Sequence, residues 1–137
     1  MSHTKDKESI EVAKRENKVI EIYEDQERYS HILDGNNMIY TLMQSGFVKE
    51  SEELASTILN SVIKKTKTKK RGVKQARLVV LIGASMPCIL VEVGYLNNKY
   101  DEINLRSKVY RQKIAEGIYD GIKVFIENSR KEIVKAG

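Results

Sequence analysis

The stretch Met86 to Asn98, MPCILVEVGYLNN, sets one carboxylate, Glu92, in a run otherwise made of Ile89, Leu90, Val91 and Val93. An ionised carboxylate left dry and unpaired is strongly disfavoured, so an acid in such a place needs a partner or a task. The partner would be a lysine or arginine in a salt bridge; the task would be proton transfer to or from a reacting group. Cys88 is the only cysteine and so forms no intrachain disulfide. It reads as a small core residue, because a thiol nucleophile wants a histidine base and neither His3 nor His31 stands in a recognisable catalytic setting. Zinc sites announce themselves by paired ligands at close spacing, and neither histidine has such a neighbour.

These residues must be positioned by a chain of 137 residues, about one domain's worth. Hydrophobic residues at 41% and charged residues at 31% place it with soluble globular proteins and away from disordered chains. No apolar run approaches the roughly 18 residues of a membrane span. The opening MSHTKDKESI lacks the apolar centre of a signal peptide, so no transmembrane segment and no signal peptide are predicted.

Periodicity predicts a first amphipathic helix over residues 5–22, with Ile10, Ala13, Asn17 and Ile20 on one stripe. Residues 23–37 read as loop or weak helix, and Met38, Leu42 and Met43 mark a short helix over 38–47. The clearest helix is 51–65: Ser51 can cap it, Glu52 and Glu53 suit its positive end, and Lys64 and Lys65 close it. Six basic residues in the eight positions 64–71 then read as an exposed, self-repelling loop.

Residues 73–82 and 87–93 read as two adjacent apolar strands, covered on both faces. A long helix over 107–130 follows, in which Gly117 and Gly121 suggest close approach to the sheet. The fold class predicted is α/β, a partial mixed or parallel sheet covered by amphipathic helices. Two strands under four helices make an unusually small sheet, so the pattern predicts part of a larger one.

Three blocks in order, RGVKQA (71–76), MPCILVEVGYLNN (86–98) and DEINLRSKVYRQKIAEGIYDGIKVF (101–125), resemble the C-terminal half of the zinc-dependent N-acetylmuramoyl-L-alanine amidases, which trim peptidoglycan. The likeness spans 51–127, and EVAKREN (11–17) adds a weaker match. It implies that 1–137 is a single partial catalytic domain, the C-terminal part of an amidase fold.

It also implies that Glu92 is catalytic, handling the proton of a water that attacks the amide between N-acetylmuramic acid and L-alanine beside a zinc ion. The family's histidine-bearing zinc motifs, of the DPGHGG and SIHxN kinds, do not occur here, and His3 and His31 match neither. No metal ligand is therefore assigned, zinc is not expected to be retained by this chain alone, and the isolated chain is expected to be inactive. The resemblance further suggests that 17–50 is an inserted regulatory helical segment, whose Glu21, Glu24 and Glu27 could reach a metal.

Peptidoglycan is thus the implied partner, and an extracytoplasmic setting is implied for the family. A partial sheet with open edges also predicts a homo-oligomer. The competing reading is a basic module binding an anionic polymer, consistent with a formal charge of +5. Nucleic acid is the weaker form of that alternative, since no aromatic interleaves the lysines and no helix-turn-helix or RNA-recognition motif is present.

Overall fold

The computed structural model describes residues 7–23, 46–69, 71–76 and 78–136. The chain divides into two compact units, one of residues 1–49 and 74–88, the other of 50–73 and 89–137.

In the first unit, α1 spans Lys7–Tyr23. The polar Asn17 on its otherwise apolar stripe has a use there: its Oδ1 accepts a hydrogen bond from the Val79 N–H at 2.9 Å. The segment around Val79, expected as a strand, is instead a 3-10 turn over Val79–Leu81. Its bonds are local, from Leu81 N to Leu78 O at 3.1 Å and from Ile82 N to Val79 O at 3.0 Å. Leu78 and Val79 are buried while Val80 is exposed, so the apolar run buries its side chains by turning and not by joining a ladder.

The second unit contains most of α2, Val48–Thr66, together with α3, Lys99–Arg106, and α4, Lys108–Ala136. At 1.5 Å per residue α4 is about 43 Å long. Its glycines face α2. A Cβ on Gly117 would lie 2.6 Å from Val62 Cα, and one on Gly121 would lie 2.5 Å from Ile58 Cα. Residue numbers rise on one helix as they fall on the other, so the two run antiparallel with their backbones in direct apposition. Ile58 and Ile114 are buried here. The close approach expected of these glycines exists, but the surface they meet is a helix and not a sheet.

Two further contacts close this seam. Lys65 Nζ reaches Asp120 Oδ2 at 2.8 Å and Glu116 Oε2 at 3.5 Å. The hydrogen bond to Asp120, more than the charge of Glu116, raises the Lys65 ammonium above its ordinary range. Helix α2 then ends at Lys67, which takes the left-handed conformation (φ 59°) while its N–H donates to Ile63 O at 2.8 Å.

The α/β expectation is overturned, because the described residues form four α-helices and a 3-10 turn with no strand. Residues 87–95 carry strand-like residues but form no strand among the described residues. A strand is defined by pairing, and a lone extended segment leaves its backbone groups to water. Ser51, expected to cap a helix, stands inside α2. The expected helix over 38–47 and most of the 17–50 segment, with Glu24 and Glu27, lie outside the described residues.

Candidate functional site

The segment 87–95 ends in a turn in which Asn98 N–H donates to Tyr95 O at 3.0 Å. Asn98 then caps α3: its side-chain oxygen accepts from Tyr100 N–H at 3.0 Å and Asp101 N–H at 3.2 Å. That cap holds Asp101 in the first turn of α3, where negative charge is favoured. From there its carboxylate turns back to the segment, and Oδ2 accepts from Tyr95 N–H at 2.9 Å and from Arg71 Nη2 at 2.7 Å. The amide of Tyr95, followed by the Arg71 guanidinium, holds the Asp101 carboxyl below the usual carboxylate range. Arg71 in turn stacks over the Tyr95 ring, 4.7 Å from its centroid.

Glu92 joins this arrangement through the same tyrosine, whose hydroxyl donates to Glu92 Oε2 at 3.0 Å. The carboxylate is exposed, as are Val91 and Val93 on either side, so the dry setting expected from the apolar run is not found. The physical reason is the missing ladder: with no neighbouring strand among the described residues, the apolar flanks stay exposed and so does the acid between them. Arg71, Tyr95 and Asp101 escaped the sequence reading. The Asn98 cap with Asp101 and Glu102 in the following turn was the available signal for α3, and Arg71 was hidden at the end of a run of lysines.

Cys88 is half-buried, with Sγ 4.0 Å from Leu81 O, and burial pushes its thiol up, away from the thiolate a nucleophile requires. His3 and His31 lie outside the described residues. Among the described residues no group of three or more histidine, cysteine, aspartate or glutamate side chains could hold a metal ion. The described residues therefore do not by themselves fit the zinc that the resemblance implies.

The model of the N-acetylmuramoyl-L-alanine amidase family matches residues 2–124, most of the chain. The chain belongs to that family. It is 39% identical over 87 residues to an uncharacterised cell wall amidase of Bacillus anthracis, a match covering 64% of this chain and 16% of that protein. It is 35% identical over 92 residues to the N-acetylmuramoyl-L-alanine amidase AmiA of Escherichia coli, covering 67% of this chain and 31% of that protein. An uncharacterised Bacillus subtilis protein, YqiI, is 35% identical over 88 residues, covering 64% of the chain and 43% of its own length. The amidase chain thus matches less than half the length of each of these relatives. No solved structure matches it. Among the described residues, no helix is long and apolar enough to cross a membrane.

Of the six basic residues at 64–71, the structure engages Lys65 and Arg71 in ion pairs with acids of the same unit. The run is therefore not wholly a solvated face presented to an anionic polymer, and part of it is structural.

Proposed function

We propose that this amidase chain supplies the acid–base carboxylate, Glu92, for hydrolysis of the amide between N-acetylmuramic acid and L-alanine in peptidoglycan, a reaction carried out outside the cytoplasm. Glu92 takes a proton from the attacking water, and the water oxygen bonds to the amide carbonyl carbon. The proton then passes to the nitrogen as the carbon–nitrogen bond breaks, leaving the lactyl carboxylate and a free amine. The observation that carries this reading is the family match across residues 2–124, a span that includes Glu92. An exposed carboxylate steered by a phenol 3.0 Å away supports it, since an acid–base group must be both reachable and aimed.

The zinc-dependent part of the chemistry falls to residues other than these, and the isolated chain is expected to cleave nothing. Muropeptides incubated with the purified chain, with and without added zinc and read by mass spectrometry, test this; turnover with stoichiometric zinc would refute the expected inactivity. The role of Glu92 is tested in a chimera in which the matched 92 residues of Escherichia coli AmiA are replaced by those of this chain. Cleavage should be lost by at least ~100-fold in the chimera carrying Glu92→Gln, the lower range of a general acid–base contribution. Undiminished cleavage removes Glu92 from the mechanism.

Leu90, Val91, Val93 and Leu96 are exposed, which supports the expectation that the isolated chain self-associates. Sedimentation equilibrium checks it, with a monomer across the micromolar range counting against it.

A further inference from the structure

Three residues of the second unit, Arg71, Asp101 and Tyr95, form a connected set that leads to the proposed acid–base group, Glu92. The Arg71 guanidinium donates to Asp101 Oδ2, and the same oxygen accepts the Tyr95 amide. The guanidinium also lies over the ring of Tyr95, whose hydroxyl donates to Glu92 Oε2. Tyr95 is thus gripped at its backbone by Asp101 and on its ring face by Arg71, with its hydroxyl end left to hold the glutamate. Asp101 is the anchor: its side chain is 13% exposed, against 49% for Arg71.

The segment can approach α3 this closely because residue 94 is glycine. A Cβ there would stand 3.2 Å from both Asp101 Cβ and Leu105 Cδ1, tighter than ordinary contact. A tyrosine fixed at two points has fewer rotamers to sample, and a carboxylate bonded to it inherits that restriction.

We infer that Arg71, Asp101 and Tyr95 are positioning residues that aim the Glu92 carboxylate, acting through the tyrosine hydroxyl. The inference rests on the proposed role of Glu92 for its catalytic meaning, but the coupling itself is a property of the chain and is measurable without turnover. Glu92 cannot be aimed by its own flanks, because Val91 and Val93 are exposed and pack too little to fix it. A hydrogen bond to a tyrosine whose backbone is held by a half-buried, ion-paired acid and whose ring is covered by Arg71 supplies a constraint that packing does not.

The test is carbon-13 NMR of the full chain labelled at glutamate side-chain carboxyls, at pH 7, with the Glu92 resonance identified by its loss in Glu92→Gln. Tyr95→Phe, which keeps the ring and the Arg71 stack, is expected to shift that resonance. Asp101→Asn and Arg71→Ala are expected to shift it in the same direction. Neither is expected to shift it further when combined with Tyr95→Phe. Arg71→Lys, which keeps the charge and endangers the fold least, is expected to give a smaller shift than Arg71→Ala.

A Glu92 resonance unmoved by Asp101→Asn and by both Arg71 variants overturns the inference, as does a shift of equal size with and without the Tyr95 hydroxyl. In the chimera, Tyr95→Phe is expected to lower kcat about 5- to 20-fold with KM unchanged, the loss of roughly 1–2 kcal/mol for one aligned hydrogen bond. If Glu92→Gln leaves the chimera fully active while the resonances still couple, the proposed function fails and the positioning path stands. If Glu92→Gln abolishes cleavage and the resonances do not couple, the reverse holds.

Discussion

Two regions of the second unit hold themselves together by opposite means. Along the seam of α2 and α4, glycine lets one backbone rest on another, with contact distances that leave no room for a methyl group. Around Glu92, a segment with exposed apolar side chains is tied down by a few polar contacts converging on Asp101. The first is intolerant of added volume, with ion pairs only at its edge; the second tolerates volume at the surface but depends on charge. Dispersion between apposed backbones fixes the helices in one place, and directed hydrogen bonds hold an exposed carboxylate in the other.

The sharpest way to break this contrast is to add a methyl group to the seam. Gly121→Ala would set Cβ 2.5 Å from Ile58 Cα, and backbone cannot step aside as a flexible side chain can. Overpacking is expected to cost about 3 kcal/mol or more, the upper end of such substitutions, read by urea denaturation. Gly117→Ala should behave alike.

A smaller effect, and one that depends on pH, is expected at the other region. Asp101→Asn should lower stability by about 1 kcal/mol at neutral pH, because an amide oxygen can still accept from Tyr95 but no longer pairs with Arg71. The folded-state pKa of Asp101 is depressed, so its contribution is fully present above the unfolded value of about 3.9 and is lost as pH falls through the lower folded value. The stability difference between the two proteins should therefore shrink on acidification below pH ~4. A difference that stays constant from pH 7 to pH 2 would show that the charge of Asp101 does not contribute.

A gain of about 0.5–1 kcal/mol is expected from Lys67→Gly, since a residue with a side chain is held there in the left-handed conformation that glycine adopts without cost. Thermal unfolding reads it, and an unchanged midpoint would mean that the end of α2 is not limited by this residue. The least effect is expected from Lys65→Met. Its exposed ion pairs with Asp120 and Glu116 should add only a small increment that disappears in high salt, while the glycine seam beneath remains. A large, salt-independent loss would mean that the seam depends on charge after all.

By itself the sequence determined three of the four described helices and the family. Spacing of three and four placed α1, α2 and α4 nearly where they lie, because a helix satisfies its own backbone and its signal is local. The three blocks around Glu92 named the amidase family for the same reason, being short, ordered and contiguous. What the tertiary structure decided was everything that needed a partner. The runs 73–82 and 87–93 carried strand-like residues but form no ladder among the described residues: Val79–Leu81 curls into a 3-10 turn, and residues 90–93 stay exposed. Gly117 and Gly121 announced close contact without saying with what. Arg71 looked like the last residue of a solvated run, and its pairing with Asp101 across 30 positions is fixed by folding alone, where separation in sequence says nothing about separation in space.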